Sequence, residues 1–84
     1  MAEKHQNTFR LVIASVGETL FDGAAASVTL PGTDGVLTIL PNHEPFVTTL
    51  KQGTIFVKTG SESKEFPVNT GVLECTASKA VVLL

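Results

Sequence analysis

Tryptophan and tyrosine are absent from these 84 residues, and cysteine and methionine each occur once. A single cysteine rules out an internal disulfide framework and a cysteine-built zinc site. Cys75 falls in the alternating run Val72-Leu73-Glu74-Cys75-Thr76-Ala77, where a buried, inert thiol is expected. Basic residues are few: six Lys plus Arg against eight Asp plus Glu give a net charge of −2. That balance leaves no footprint for nucleic acid, and the scattered charges offer no electrostatic anchor for a membrane. No apolar run reaches bilayer-spanning length. The opening MAEKHQNT is polar and leads into no signal-type apolar segment. The expectation is a soluble chain from a reducing compartment, with no direct membrane insertion, whose membrane association comes through a partner.

Recognisable reaction chemistry is also missing. Ser15, His43 and Asp22 make a triad on paper, but no nucleophile elbow accompanies them and nothing in the spacing joins them. No phosphate-cradling loop of the Walker type is present. Gly32-Thr33-Asp34-Gly35 has the spacing of a nucleic-acid GxxG loop, yet it lies between strand-like runs in an acidic chain and reads as a turn. No catalytic residue, cofactor or metal is expected. His5 sits in the polar tail expected over residues 1–8. His43 keeps two readings: a turn histidine bonding its own loop, or a contact residue in a loop stiffened for a protein partner. A metal ligand would need a second His, Cys or carboxylate at ligand spacing, and none is there.

With 43% apolar against 17% charged residues, the remaining chain reads as one folded domain, residues 9–84. Short apolar and β-branched runs alternate with turn residues every 8–12 positions, the signature of a sandwich or barrel. Strands are expected over 9–16, 24–30, 36–40, 46–50, 54–59, 64–68, 72–77 and 80–84. Leu20-Phe21 is read as an apolar stub and Asp22-Gly23 as a tight turn. Ala24, Ala26, Val28 and Leu30 are assigned to the inner face. Pro67 has no N–H and marks an edge strand or a bulge. The fold class is therefore all-β: a flattened sandwich of about nine to ten short, mainly antiparallel strands.

The densest punctuation lies in residues 30–53, LPGTDGVLTILPNHEPFVTTLKQG, with three prolines and three glycines. Prolines on either side of His43 restrict the backbone there. Loops shaped in this way lose little entropy when they bind a partner. This run resembles the N-terminal sandwich of the F-type ATP synthase epsilon subunit. In that family it reads approximately Leu-Pro-Gly, two variable residues, Gly-Glu, Phe or Leu, Gly-Ile-Leu-Pro, Gly or Asn, then His-Ala-Pro. The likeness extends from Phe9 to Leu84 through Leu20-Phe21-Asp22-Gly23, Leu50-Lys51-Gln52-Gly53, Gly71-Val72-Leu73-Glu74 and Val81-Val82-Leu83.

The resemblance implies a non-catalytic rotor part of the central stalk. It would couple c-ring rotation through the gamma subunit to ATP synthesis, peripherally on the cytoplasmic face of the bacterial membrane or its organelle equivalent. It implies that Ser15, His43, Phe46 and Thr48 lie toward gamma. Gly32, Thr33, Asp34, Gly35 and Val36 would face the polar loops of the c-ring. Val36-Leu37-Thr38 stands where the family has an acidic residue, which implies a more apolar ring contact. Asn69-Thr70-Gly71 replaces Ser-Gly-Gly; Thr70 suits a left-handed backbone poorly, so a shifted turn is expected. The family's C-terminal helical hairpin has no counterpart in these residues: a naturally short form would couple without self-inhibition, whereas for a fragment of a longer chain the regulatory statement applies to the fragment alone. The rival reading is a stand-alone sandwich that binds a small ligand or peptide in a pocket or along a strand edge.

Overall fold

A computed structural model describes residues 8–84. All but Thr8 of the tail expected over 1–8, and His5 with it, lies outside the described residues. Nine strands follow one another: β1 (Phe9–Ser15), β2 (Glu18–Ala25), β3 (Ser27–Gly32), β4 (Gly35–Ile39), β5 (Phe46–Leu50), β6 (Gly53–Lys58), β7 (Ser63–Val68), β8 (Gly71–Cys75) and β9 (Lys79–Leu83). They form one curled sheet in the order β2-β1-β9-β8-β5-β3-β6-β7, with β4 added on β3. All pairings are antiparallel except β1 with β9. The all-β expectation holds.

The core follows from the two-residue period of a strand. Leu11, Ile13, Val28, Leu30, Ile55, Val57, Leu73 and Val82 are all fully buried. Cys75 is buried among them as a free thiol, and burial pushes its pKa up. No polar or charged side chain is buried among the described residues. The sheet curls because β5 and β3 are joined by a single bridge, Gly32 to Leu50. One half (β2, β1, β9, β8, β5) thereby folds over the other (β4, β3, β6, β7). At the far edges Phe21 of β2 meets Phe66 of β7 edge to face, ring centres 6.1 Å apart. Pro67 lies on β7, the last strand of the path, paired only with β6. A residue without an N–H is tolerated at such an edge.

Two expectations are corrected. Asp22-Gly23 is no turn: it runs inside β2, opposite Val12 and Leu11. The β1–β2 register steps between Ile13 and Ala14, which leaves Leu20 as the extra residue of a bulge. That bulge lets the adjacent Leu20 and Phe21 both pack against the core, which a regular strand forbids. The alanine run is also divided differently: Ala25 is buried and ends β2, Ala24 is exposed, and β3 starts at Ser27. The fold turns the strand direction at Ala26, which resets the alternation.

The Pro and Gly of the 30–53 run act by close approach. A Cβ on Gly53 would stand 2.9 and 3.0 Å from the Pro31 ring, and one on Gly32 would stand 2.7 Å from the Gly35 carbonyl. Lys51 N–H donates to Pro31 O at 2.8 Å across the same contact. Asn42, at φ 64°, is the one non-glycine residue in the left-handed region among those described. Asn tolerates that region, which is the physical reason for Gly or Asn after Pro41. Thr70 does not adopt it, so the 69–70 turn uses another geometry. Gly71 is needed for space instead, since its Cβ would meet Leu83 O at 2.8 Å.

Replacing Gly53 with Ala should force the Pro31 ring to shift and cost about 1–3 kcal/mol. Thermal denaturation should show a drop of roughly 4–8 °C for each kcal/mol lost. An unchanged melting temperature would show that the 31/53 contact is slack.

Candidate functional site

The register sorts the sequence-derived residues onto two ends of the sandwich. Ala14 pairs with Leu83, Leu83 with Val72, and Val72 with Thr49. Thr49 O in turn accepts from Thr33 N at 3.1 Å. The β1–β2 turn with Ser15, the 69–70 turn and the 33–34 turn therefore share one end. At the other end, Phe46 pairs with Cys75, and Cys75 with Ala80. His43 belongs there, its ring centre 5.0 Å from that of Phe46. Ser15 and His43 are thus at opposite ends, and Asp22 is committed to Arg10. The paper triad is not assembled.

Gly32, Thr33, Asp34, Gly35 and Val36 do form one feature. Gly32 and Gly35 pair across a two-residue tip, and Gly35 takes φ 135°, a value that L side chains seldom reach. The Thr33 hydroxyl lies 3.0 Å from that of Thr49 and ties the tip to β5. Thr33, Asp34 and Val36 are exposed, Val36 at 74%. At the same end, Val16 on the β1–β2 turn is almost wholly exposed.

Of the residues on β5, Phe46 and Thr48 share the parity of buried Leu50 and are half-buried. Phe46 packs against the core. The outward positions are Val47, 66% exposed, and Thr49. Sequence reasoning missed Val47, although the alternation ending at Leu50 carries the signal. Val47 belongs to a broad outer face. Successive rows across β1, β9, β8 and β5 read Ala14, Leu83, Val72, Thr49 and Val12, Val81, Glu74, Val47. Leu83 is 54% and Val72 39% exposed. The opposite outer face is more polar: its middle row runs Thr38, Thr29, Phe56, Glu65, with the two threonine hydroxyls 3.0 Å apart.

A border of charge flanks the apolar rows. Arg10 donates from Nε to Asp22 Oδ1 at 3.1 Å and from Nη2 to Oδ2 at 3.0 Å. The hydrogen bond from Arg10 is the main reason the Asp22 carboxyl titrates below its ordinary value, and the charges of Arg10 and Lys79 add to it. Both side chains are solvated, so the pair contributes little. A cleft of about 490 Å³ opens beyond this border, lined by Thr8, Phe9, Arg10, Gly23, Ala24, Asn42, Ala77 and Ser78. Its one cation is held by Asp22, and its aromatic residue, Phe9, is buried. No group of three or more His, Cys, Asp or Glu that could hold a metal occurs among the described residues. No helix of those residues is long and apolar enough to cross a membrane.

Residues 8–84 match the model of the ATP synthase delta/epsilon chain β-sandwich domain. The chain is 37% identical over 78 residues to the ATP synthase epsilon chain of Delftia acidovorans, covering 92% of this chain and 56% of that one. It is 41% identical over 76 residues to that of Desulforamulus reducens, covering 90% and 58%. It therefore spans less than two thirds of the length of these curated relatives. Among solved structures, a chain of the Euglena gracilis mitochondrial ATP synthase (OSCP, F1 and c-ring, by cryo-EM) superposes with a TM-score of 0.86. The match has 17% identity and covers 96% of this chain and 52% of that one, a likeness of fold. A chain from the central stalk and c-ring of the Tetrahymena thermophila enzyme gives 0.75 at the same identity, covering 96% and 65%.

The Asp22 carboxyl is lowered in the folded state. Its stabilisation is present above the unfolded value, about pH 3.9, and is lost as pH falls through the lower folded value. Asp22→Asn should therefore melt slightly below the wild type at neutral pH and converge with it in acid, once the pH has fallen through the folded value. A gap of constant size across that range would remove the ion pair from the account.

Proposed function

The chain belongs to the β-sandwich family of ATP synthase delta and epsilon chains, and we propose on that footing that it is a rotor part of the central stalk. It couples c-ring rotation, through the gamma subunit, to ATP synthesis in the catalytic head. It performs no chemistry of its own and sits peripherally at the membrane through the complex. The observation that carries this reading is the contrast between the two outer faces. One offers aliphatic rows on β1, β9, β8 and β5, and the other a more polar row in which paired threonines and Glu65 flank Phe56. An exposed aliphatic face is the kind of surface that a protein partner covers.

In this reading gamma lies on the apolar face. Ser15 marks one margin of that face, and the half-buried Phe46 and Thr48 shape it from behind. His43, its ring tilted against that of Phe46, lies in the loop that leads into β5. The end formed by Gly32, Thr33, Asp34, Gly35 and Val36 faces the polar loops of the ring. There the exposed Val36, with Val16 exposed at the same end, favours a partly apolar contact. Rigidity suits such a coupler: the tip is braced on β5, and the two sheet halves share one core. A part that yields under torque would lose rotation as strain.

Binding of the full chain to its cognate gamma subunit, measured by titration calorimetry, tests this assignment. Val47→Asp should weaken the complex at least tenfold while its melting temperature stays within about 2 °C of wild type, as for surface changes generally. Phe46→Ala should mainly lower the melting temperature, because its ring packs inward. Absence of any complex with wild-type chain would refute the assignment.

A further inference from the structure

Within the apolar face stands one carboxylate that the coupling role does not account for. Glu74 lies on β8, directly opposite Val47 of β5 on one side and Val81 of β9 on the other. Its neighbour two residues back on the same face is Val72. It makes no ion pair or side-chain hydrogen bond among the described residues. Lys79, one diagonal step away on β9, is the nearest basic residue by register. Its charge also favours the ionised Asp22 carboxyl, across β1, and it forms no ion pair with Glu74. Arg10 is already held at both ends of the Asp22 carboxylate. Every other outward position in the two central rows is Val, Leu, Ala or Thr.

We propose that Glu74 is the specificity point of this face, and that the gamma surface covering it is aliphatic with one basic side chain seated on the Glu74 carboxylate. The inference rests on the docking assignment above. An ionised carboxylate covered by an apolar partner without a counter-ion loses its hydration and gains nothing in return. A cation placed opposite turns the same group into a charge-assisted contact that fixes register along an otherwise uniform aliphatic surface. Without such a point, β-branched rows at strand spacing would dock in several registers.

The sign of one substitution decides the matter. Titration of the cognate gamma subunit with the full chain should give an affinity about tenfold weaker for Glu74→Gln than for wild type. Its salt dependence should also be shallower, because one screened charge contact is gone. Glu74→Lys should weaken binding further, about a hundredfold, with an unchanged melting temperature reporting an intact fold. If Glu74→Gln binds more tightly, the carboxylate is buried without a cation and the proposal fails. If it binds equally, Glu74 lies outside the interface and the proposal also fails. In both cases a wild-type complex leaves the docking assignment standing, whereas no wild-type complex overturns both.

Discussion

The β3–β5 junction at Gly32 and Leu50 joins the two halves of this molecule, and the Pro31–Gly53 contact packs beside it. The halves share one bridging pair, Gly32 with Leu50, and the chain turns from β5 into β6 directly beside it, where Gly53 lies against the Pro31 ring. Pro31 supplies a flat ring with a fixed φ, and Gly53 supplies the absence of a side chain on which the ring rests. The hydrogen bonds from Lys51 N to Pro31 O and from Thr33 N to Thr49 O fasten the same corner. The spacing of LPG and KQG in the sequence is the mark of this single junction.

From that corner the functional surfaces follow. Closing the sheet drives one parity of each strand into a core with no buried charge and turns the other parity outward. On β1, β9, β8 and β5 the outward parity is aliphatic, interrupted by Glu74. On the other half it is more polar. The corner also projects the 33–34 tip from the end of the sandwich while tying it to β5 through Thr33 and Thr49. The outer face and the tip are thereby held on one body, as the proposed coupling role requires.

The strand pattern was legible where short runs rich in β-branched and apolar residues lie between turn residues, as in Phe9-Arg10-Leu11-Val12-Ile13 and Gly53–Lys58. It failed at Asp22-Gly23, where turn-forming residues lie inside a strand. Cross-strand partners on β1 and the Arg10 pair hold them extended, and no local propensity reports that. Of the site, the 32–36 tip was legible because its Gly residues have few structural uses. The set expected on the gamma side was only partly so. Phe46 and Thr48 point inward because Leu50 does, and Val47 was passed over because an exposed valine carries no chemistry that marks it in a linear reading.

The sequence alone settled the all-β class and the family likeness. These depend on composition, on period-two alternation and on turn residues that act within a few positions of one another. Tertiary structure decided which end each turn occupies, which β5 residues face out, and that Glu74 stands alone among valines contributed by other strands. Those facts depend on register between strands far apart in the chain, and register is fixed only when the sheet curls shut on its core.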